Sequence, residues 1–191
     1  MAPSPHFWSG DNPVAFVFSA PGAEERRQGR PVAGDSGANL ELALGHLHSA
    51  LPMLFRSVHR YDYRITNAWP EPIAIALGHR TSEESAAQIR NPGNVRRVLQ
   101  ELGGCTLVVL SGKKAKLLAK AVGASGLQYV EVPHVGNKGL NGSYTVPNHL
   151  VSASPAVRRE YRVRLWADAL VQAITSEHGV ERGPLHLGED H

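Results

Sequence analysis

Apolar positions along the chain fall into short runs separated by Gly- and Pro-rich stretches, and the runs alternate between strand-like and helix-like spacing. Residues 14–19 form an almost continuous apolar run that ends at Ala20-Pro21-Gly22, the pattern of a buried strand opening into a loop. Residues 24–34 carry charges, two Gly and Pro31 and read as a loop, after which Ser36 can cap a helix reaching about Leu51. A second strand is expected over residues 61–68, ended by Pro70 and Pro72. Residues 81–104 are helical in composition, broken at Asn91-Pro92-Gly93-Asn94. The clearest unit follows: an apolar strand over 105–110, a Ser111-Gly112 turn, and an amphipathic helix over 113–122 that stops at Gly123. Residues 127–132 form a further strand and 134–147 a Gly-rich loop. The last helix has Ser154 as N-cap, Pro155 at its first position, and an apolar stripe through Val157, Tyr161, Trp166, Leu170 and Ile174.

Strands alternating with helices predict an α/β fold, a three-layer α/β/α sandwich with a mostly parallel central sheet. Ligands of such sheets bind beyond the carboxyl ends of the strands, so the site is expected on three loops, residues 20–37, 67–72 and 134–147. Residues 1–179 are expected to form one domain and 180–191 a mobile tail. No internal repeat or low-complexity segment is present.

Composition narrows the chemistry. With 191 residues, 42% of them hydrophobic, the chain can bury a sizeable core. A formal charge of +3 suits an anionic partner without requiring one. The single Cys105 excludes an internal disulfide, a CxxC pair, a Cys-rich zinc site and a four-Cys iron–sulfur cluster within the chain, so no metal or other cofactor is expected. His46, His48 and His59 lack metal-ligand spacing. No apolar run reaches the roughly 20 residues of a membrane span, and the first residues lack a signal-peptide plan. The expectation is a cytoplasmic protein with no membrane association, acting as a monomer.

The series Ala20-Pro21-Gly22-Ala23-Glu24, Gln28-Gly29-Arg30-Pro31, Gly34 and Gly37 resembles the first active-site motif of the uracil-DNA glycosylase superfamily, and within it the thermostable iron–sulfur family. Three further stretches agree in order. Arg64-Ile65-Thr66-Asn67 is similar to the base-recognition strand, residues 109–115 to the strand-turn-helix, and Val132-Pro133-His134 to the second active-site motif. The departures are specific. The family's cluster cysteines are absent, Asn67 being followed by Ala68-Trp69-Pro70; Ser19 stands where the family has an acidic residue; Val32 replaces the aromatic residue that packs on uracil; and Asp35 takes a usually basic position.

The resemblance implies an enzyme, a monofunctional DNA glycosylase. Cleaving the base from its deoxyribose builds positive charge on the sugar and negative charge on the base oxygen, and both need stabilising. His134 is the expected donor to the base, with His149 as the fallback. Asn67 would read the pyrimidine edge, with Ala20, Pro21, Gly22 and Val32 shaping the base pocket. Water activation falls to Asp35, Glu24 or Glu25, Asp35 being favoured, while Ser19 can position the water. No buried Lys nucleophile is indicated, so hydrolysis and not lyase chemistry is expected. The base must be flipped out, and Leu140, between Asn137, Lys138 and Asn141, is the expected wedge unless it folds inward. Phosphate contacts are expected from the Ser111-Gly112 backbone, Lys113 and Lys114, and from Arg26, Arg27 and Arg30. Val32 in place of an aromatic suggests a bulky modified pyrimidine, as in phage DNA, and a role in defence. The alternatives are ordinary uracil repair, with Phe18 or Trp69 stacking on the base, and a protein that binds modified DNA without cutting it.

Overall fold

The computed structural model describes residues 4–73, 78 and 84–178. The expected tail, 180–191, and residues 81–83 of the expected helical region lie outside them.

Five strands make one sheet: β1 (Phe7–Ser9), β2 (Val14–Phe18), β3 (Arg64–Asn67), β4 (Leu107–Ser111) and β5 (Gln128–Val132), in the order β1-β3-β2-β4-β5. Only β1 runs antiparallel, along the edge of β3. All five residues of β2 and all five of β4 are buried, because helices cover both faces of the sheet and leave no polar side to alternate with. Val14, Phe16 and Phe18 face one core with α2 (Asp35–Ala50), α6 (Asn137–Ser143) and α7 (Pro155–His178). Ala15 and Val17 face a second core with α3 (Ala86–Ile89), α4 (Pro92–Glu101) and α5 (Ala119–Ala124). The architecture is therefore the expected three-layer α/β/α sandwich. No described helix is long and apolar enough to cross a membrane.

Several element expectations need correction. Residues 24–34 are not all loop: Ala23–Gln28 forms α1, with Glu24 and Glu25 at the positive end of the helix, Arg26 and Arg27 at the negative end, and Gly29 closing it in a left-handed conformation (φ 66°). The helix expected over 113–122 is a 3-10 turn at Ala115–Leu118 followed by α5. Asn91 does break the helical region, as an N-cap whose side chain accepts from Gly93 N–H, with Pro92 beginning α4. On α7 the Ser154 hydroxyl oxygen accepts from Val157 N–H as a cap should. Trp166, Leu170 and Ile174 of the expected stripe are buried, joined by Val163, Ala167 and Val171, whereas Val157 is 44% exposed and Tyr161 only partly buried.

The N-terminus of α2 meets the preceding loop at very close range. A Cβ on Gly37 would lie 1.7 Å from the Val32 carbonyl oxygen, whereas one on Gly45, farther along the same helix, meets nothing within 4 Å. Alanine is otherwise the better helix former by about 0.8–1 kcal/mol. Gly45→Ala should therefore stabilise the fold by roughly 0.5–1 kcal/mol, and Gly37→Ala should destabilise it by about 1–3 kcal/mol through overpacking. Urea unfolding of the two variants checks the opposite signs.

Candidate functional site

The parallel strands β2 to β5 all end on one edge, and the polar groups singled out in the sequence collect there because the strand interiors admit none. Phe18, last in β2, is in register with Asn67, last in β3. Past the strands the pairing continues, as Ala68, Trp69 and Ile73 N–H donate to the carbonyls of Phe18, Ser19 and Pro21. This places residues 19–21 alongside residues 68–73, the stretch that follows Asn67.

Asn67 shares a face with Ile65, the face of the α2/α7 core. It is 4% exposed, and among the described residues its buried side-chain Oδ1 has no hydrogen-bond donor. Its backbone is held from the other side: Arg97 Nη2 donates to the Asn67 carbonyl at 2.9 Å, and Arg97 pairs with Glu101, which also accepts from Thr66. Burial pushes the Glu101 carboxyl up, but donors from His6, Thr66 and Arg97 outweigh it and leave it below its ordinary value. A buried acceptor without a donor costs about 1–3 kcal/mol, which makes Asn67 Oδ1 a candidate acceptor for a bound group.

His134 follows β5. Its ring meets the Phe18 ring edge-on, with centroids 5.7 Å apart. Gly136 N–H donates to Nδ1 at 2.9 Å, so the ring proton sits on Nε2. The histidine is seated against backbone: a Cβ on Gly112 would lie 3.0 Å from His134 Cβ, and one on Gly139 would lie 2.1 Å from the His134 carbonyl oxygen. Trp166 Nε1 and the Ser111 hydroxyl both donate to the Pro133 carbonyl, fixing the turn that carries it.

The loop expected over 134–147 contains α6, and this overturns the role given to Leu140. Leu140 is 1% exposed and part of the core, because the helix turns that position inward. It is no wedge in this conformation, and Asn137, Lys138 and Asn141 form the exposed face instead. Ser111 and Gly112 are likewise corrected as phosphate contacts: both are buried, Gly112 N–H donates to the Val132 carbonyl, and the pair builds the seat of His134. Lys113 is exposed beside them. His149 is exposed on a separate 3-10 turn, Asn148–Leu150.

Among the candidate bases, geometry separates the three acids. Glu25 accepts from Gly22, Ala33 and Gly34 N–H, closing the first loop as a structural clamp. Glu24 is bonded to Arg27 and Gln28, which hold its carboxyl down to about 2, too low for an effective base. The same ion pair occupies Arg27. Asp35 is exposed at the start of α2 and accepts from Asn137 Nδ2 at 2.9 Å, which ties it to the segment carrying His134. Val32 is 5% exposed with φ 43°, an unusual conformation for a β-branched residue, held between the Glu25 bond to Ala33 and the Tyr61 hydroxyl on Pro31.

The sequence matches no protein-family model and no curated protein. The site therefore stands on its own geometry.

Two clefts are formed among the described residues. One, about 810 Å³, is lined by Trp8, Gln28, Arg30 and Tyr61 among others, and includes none of Ser19, Asn67 and His134. The other, about 450 Å³, joins Asn137 and Asn141 to Arg158, Arg159 and Arg162 of α7. Sequence reasoning passed over these arginines. Their one signal was clustering at a helix start, where cations oppose the helix dipole.

Because Asn67 Oδ1 has no donor, Asn67→Ala should cost less than about 1 kcal/mol in folding stability, against the roughly 1–3 kcal/mol lost with a fully bonded buried amide. Denaturant midpoints of this variant and of Asn39→Ala, whose amide is bonded to Val135, Asn137 and Arg159, test the contrast.

Proposed function

We propose that the chain is a DNA glycosylase that hydrolyses the N-glycosidic bond of a pyrimidine nucleotide. One observation carries the reading: a histidine whose proton is set on Nε2 and a buried amide whose oxygen lacks a donor meet the same Phe18 at the carboxyl edge of a parallel sheet. The two supply what an extruded pyrimidine presents. Asn67 Oδ1 accepts from the ring N–H, and the imidazole donates to the carbonyl oxygen on which charge gathers.

In the reaction the C1′–N bond breaks with its electron pair leaving on the base, stabilised by the His134 donor. Water then bonds to C1′ of the oxocarbenium-like sugar, and its proton passes to the Asp35 carboxylate. The products are the free base and an abasic site. Ser19, half-buried at the end of β2, is placed to orient the water. Exposed Lys113, Asn137 and Lys138 face the solvent around this edge and serve the phosphates. The bulky-base version rests on Val32, whose burial leaves no open surface where the aromatic would stand, so an ordinary pyrimidine is the reading adopted.

Incubation with uracil-containing, mismatched and modified-base DNA, followed by alkali, should reveal strand breaks on at least one substrate. His134→Ala should lower single-turnover excision roughly 100-fold or more with little change in DNA affinity, because the lost donor acts on charge present only in the transition state. Asn67→Ala should lower base discrimination by about 1–3 kcal/mol. An unchanged rate in His134→Ala would remove the histidine from the mechanism. Binding without cleavage of any substrate would make the protein a DNA reader instead.

A further inference from the structure

We propose that the cleft between α6 and the first turns of α7 is a phosphodiester site, in which Arg158, Arg159 and Arg162 grip the backbone of the strand whose nucleotide is held at His134. The identity of the strand rests on the glycosylase reading; the anion chemistry does not.

Charge balance carries the inference. All three arginines are residues of intermediate exposure, and each guanidinium is anchored to a neutral acceptor: Arg158 Nη1 to the Val151 carbonyl at 2.7 Å, Arg159 Nε to Asn39 Oδ1, and Arg162 Nε to the Tyr144 carbonyl at 3.0 Å. Among the described residues none of the three has a carboxylate within 4.0 Å, whereas Arg27, Arg60 and Arg97 each pair with a glutamate at 2.5 Å. The arrangement is electrostatically unfavourable as it stands. No acidic residue occupies the first turn of α7, where the helix dipole favours anions, and Arg158 and Arg162 are like charges four residues apart. The neutral anchors fix the orientation of each planar fork while using only part of its five donors, which is how bidentate phosphate contacts are prepared.

Position relates the cleft to the site. Asn39, which holds Arg159, donates to the Val135 carbonyl next to His134, and to Asn137 on the cleft wall. Asn137 is three steps along the chain from His134, so the cleft wall begins within about 11 Å of the histidine backbone. A strand with one base at His134 passes the arginines within a few nucleotides.

The test is fluorescence anisotropy of a labelled oligonucleotide without a scissile base, measured over a range of salt with the full chain. The Arg158→Gln/Arg162→Gln double variant should weaken binding equally across sequences and reduce the slope of log K against log salt by about 1–2. Its melting temperature should equal or exceed that of the parent, since like charges are removed, and this shows the variant folded. Arg164→Gln, on the exposed side of the same helix, should keep the parental slope. A parental slope in a folded double variant overturns the site, as does an equal loss in Arg164→Gln, which would mean diffuse charge only. An acidic peptide that displaces the oligonucleotide from the parent and the double variant alike also overturns it. Excision assays on the same preparations separate the two readings: a lost slope with no cleavable substrate leaves the phosphate site standing alone, and cleavage with an unchanged slope leaves the glycosylase without it.

Discussion

Burial of β2 and β4 on both faces is the constraint from which the rest follows. Five consecutive positions in each of these two strands are buried, so every backbone donor there must be met by a neighbouring strand and every side chain must be apolar or bonded. Polar chemistry can emerge only where the strands stop. Ser19, Asn67, Ser111 and His134 all lie at or just past those ends, and the parallel direction of β2 to β5 puts the ends on one edge.

On that edge, precision comes from backbone held at close range. The Glu25 carboxylate draws the two ends of the first loop together through three N–H groups, and this closure supports the Val32 conformation and its carbonyl against α2. His134 is held in the same manner, with Gly112 and Gly139 permitting contact that any side chain would prevent. Rigid seating of this kind suits a donor that must meet charge as it develops, because no reorganisation is needed during the reaction.

The electrostatics divide the protein in two. Near β3, Arg97, Glu101, Thr66 and His6 neutralise one another and stiffen the strand that carries Asn67. At the start of α7 the cations have no such partners among the described residues. Acids would be the stabilising choice there, and the three arginines are the feature on which the proposed anion site rests.

The alternation of apolar runs was enough to determine the layer architecture and the four parallel strands, and single residues marked the helix break at Asn91 and the cap at Ser154, because these depend on local periodicity and on single side-chain bonds. The edge strand β1, three residues long, has too short a pattern to read. Motif spacing placed Asn67 and His134 at strand ends, but their meeting at Phe18 needed strand register, which pairs residues far apart in the chain. Leu140 shows the limit most plainly: a large apolar residue among glycines and amides has the same local sequence whether it points to solvent or to the core, and only the packing of α6 against α7 and the sheet turns it inward. The charge of the arginines was visible in the chain. That no carboxylate among the described residues reaches them is a property of tertiary structure, since an ion pair is decided by distances between elements and not by the order of residues.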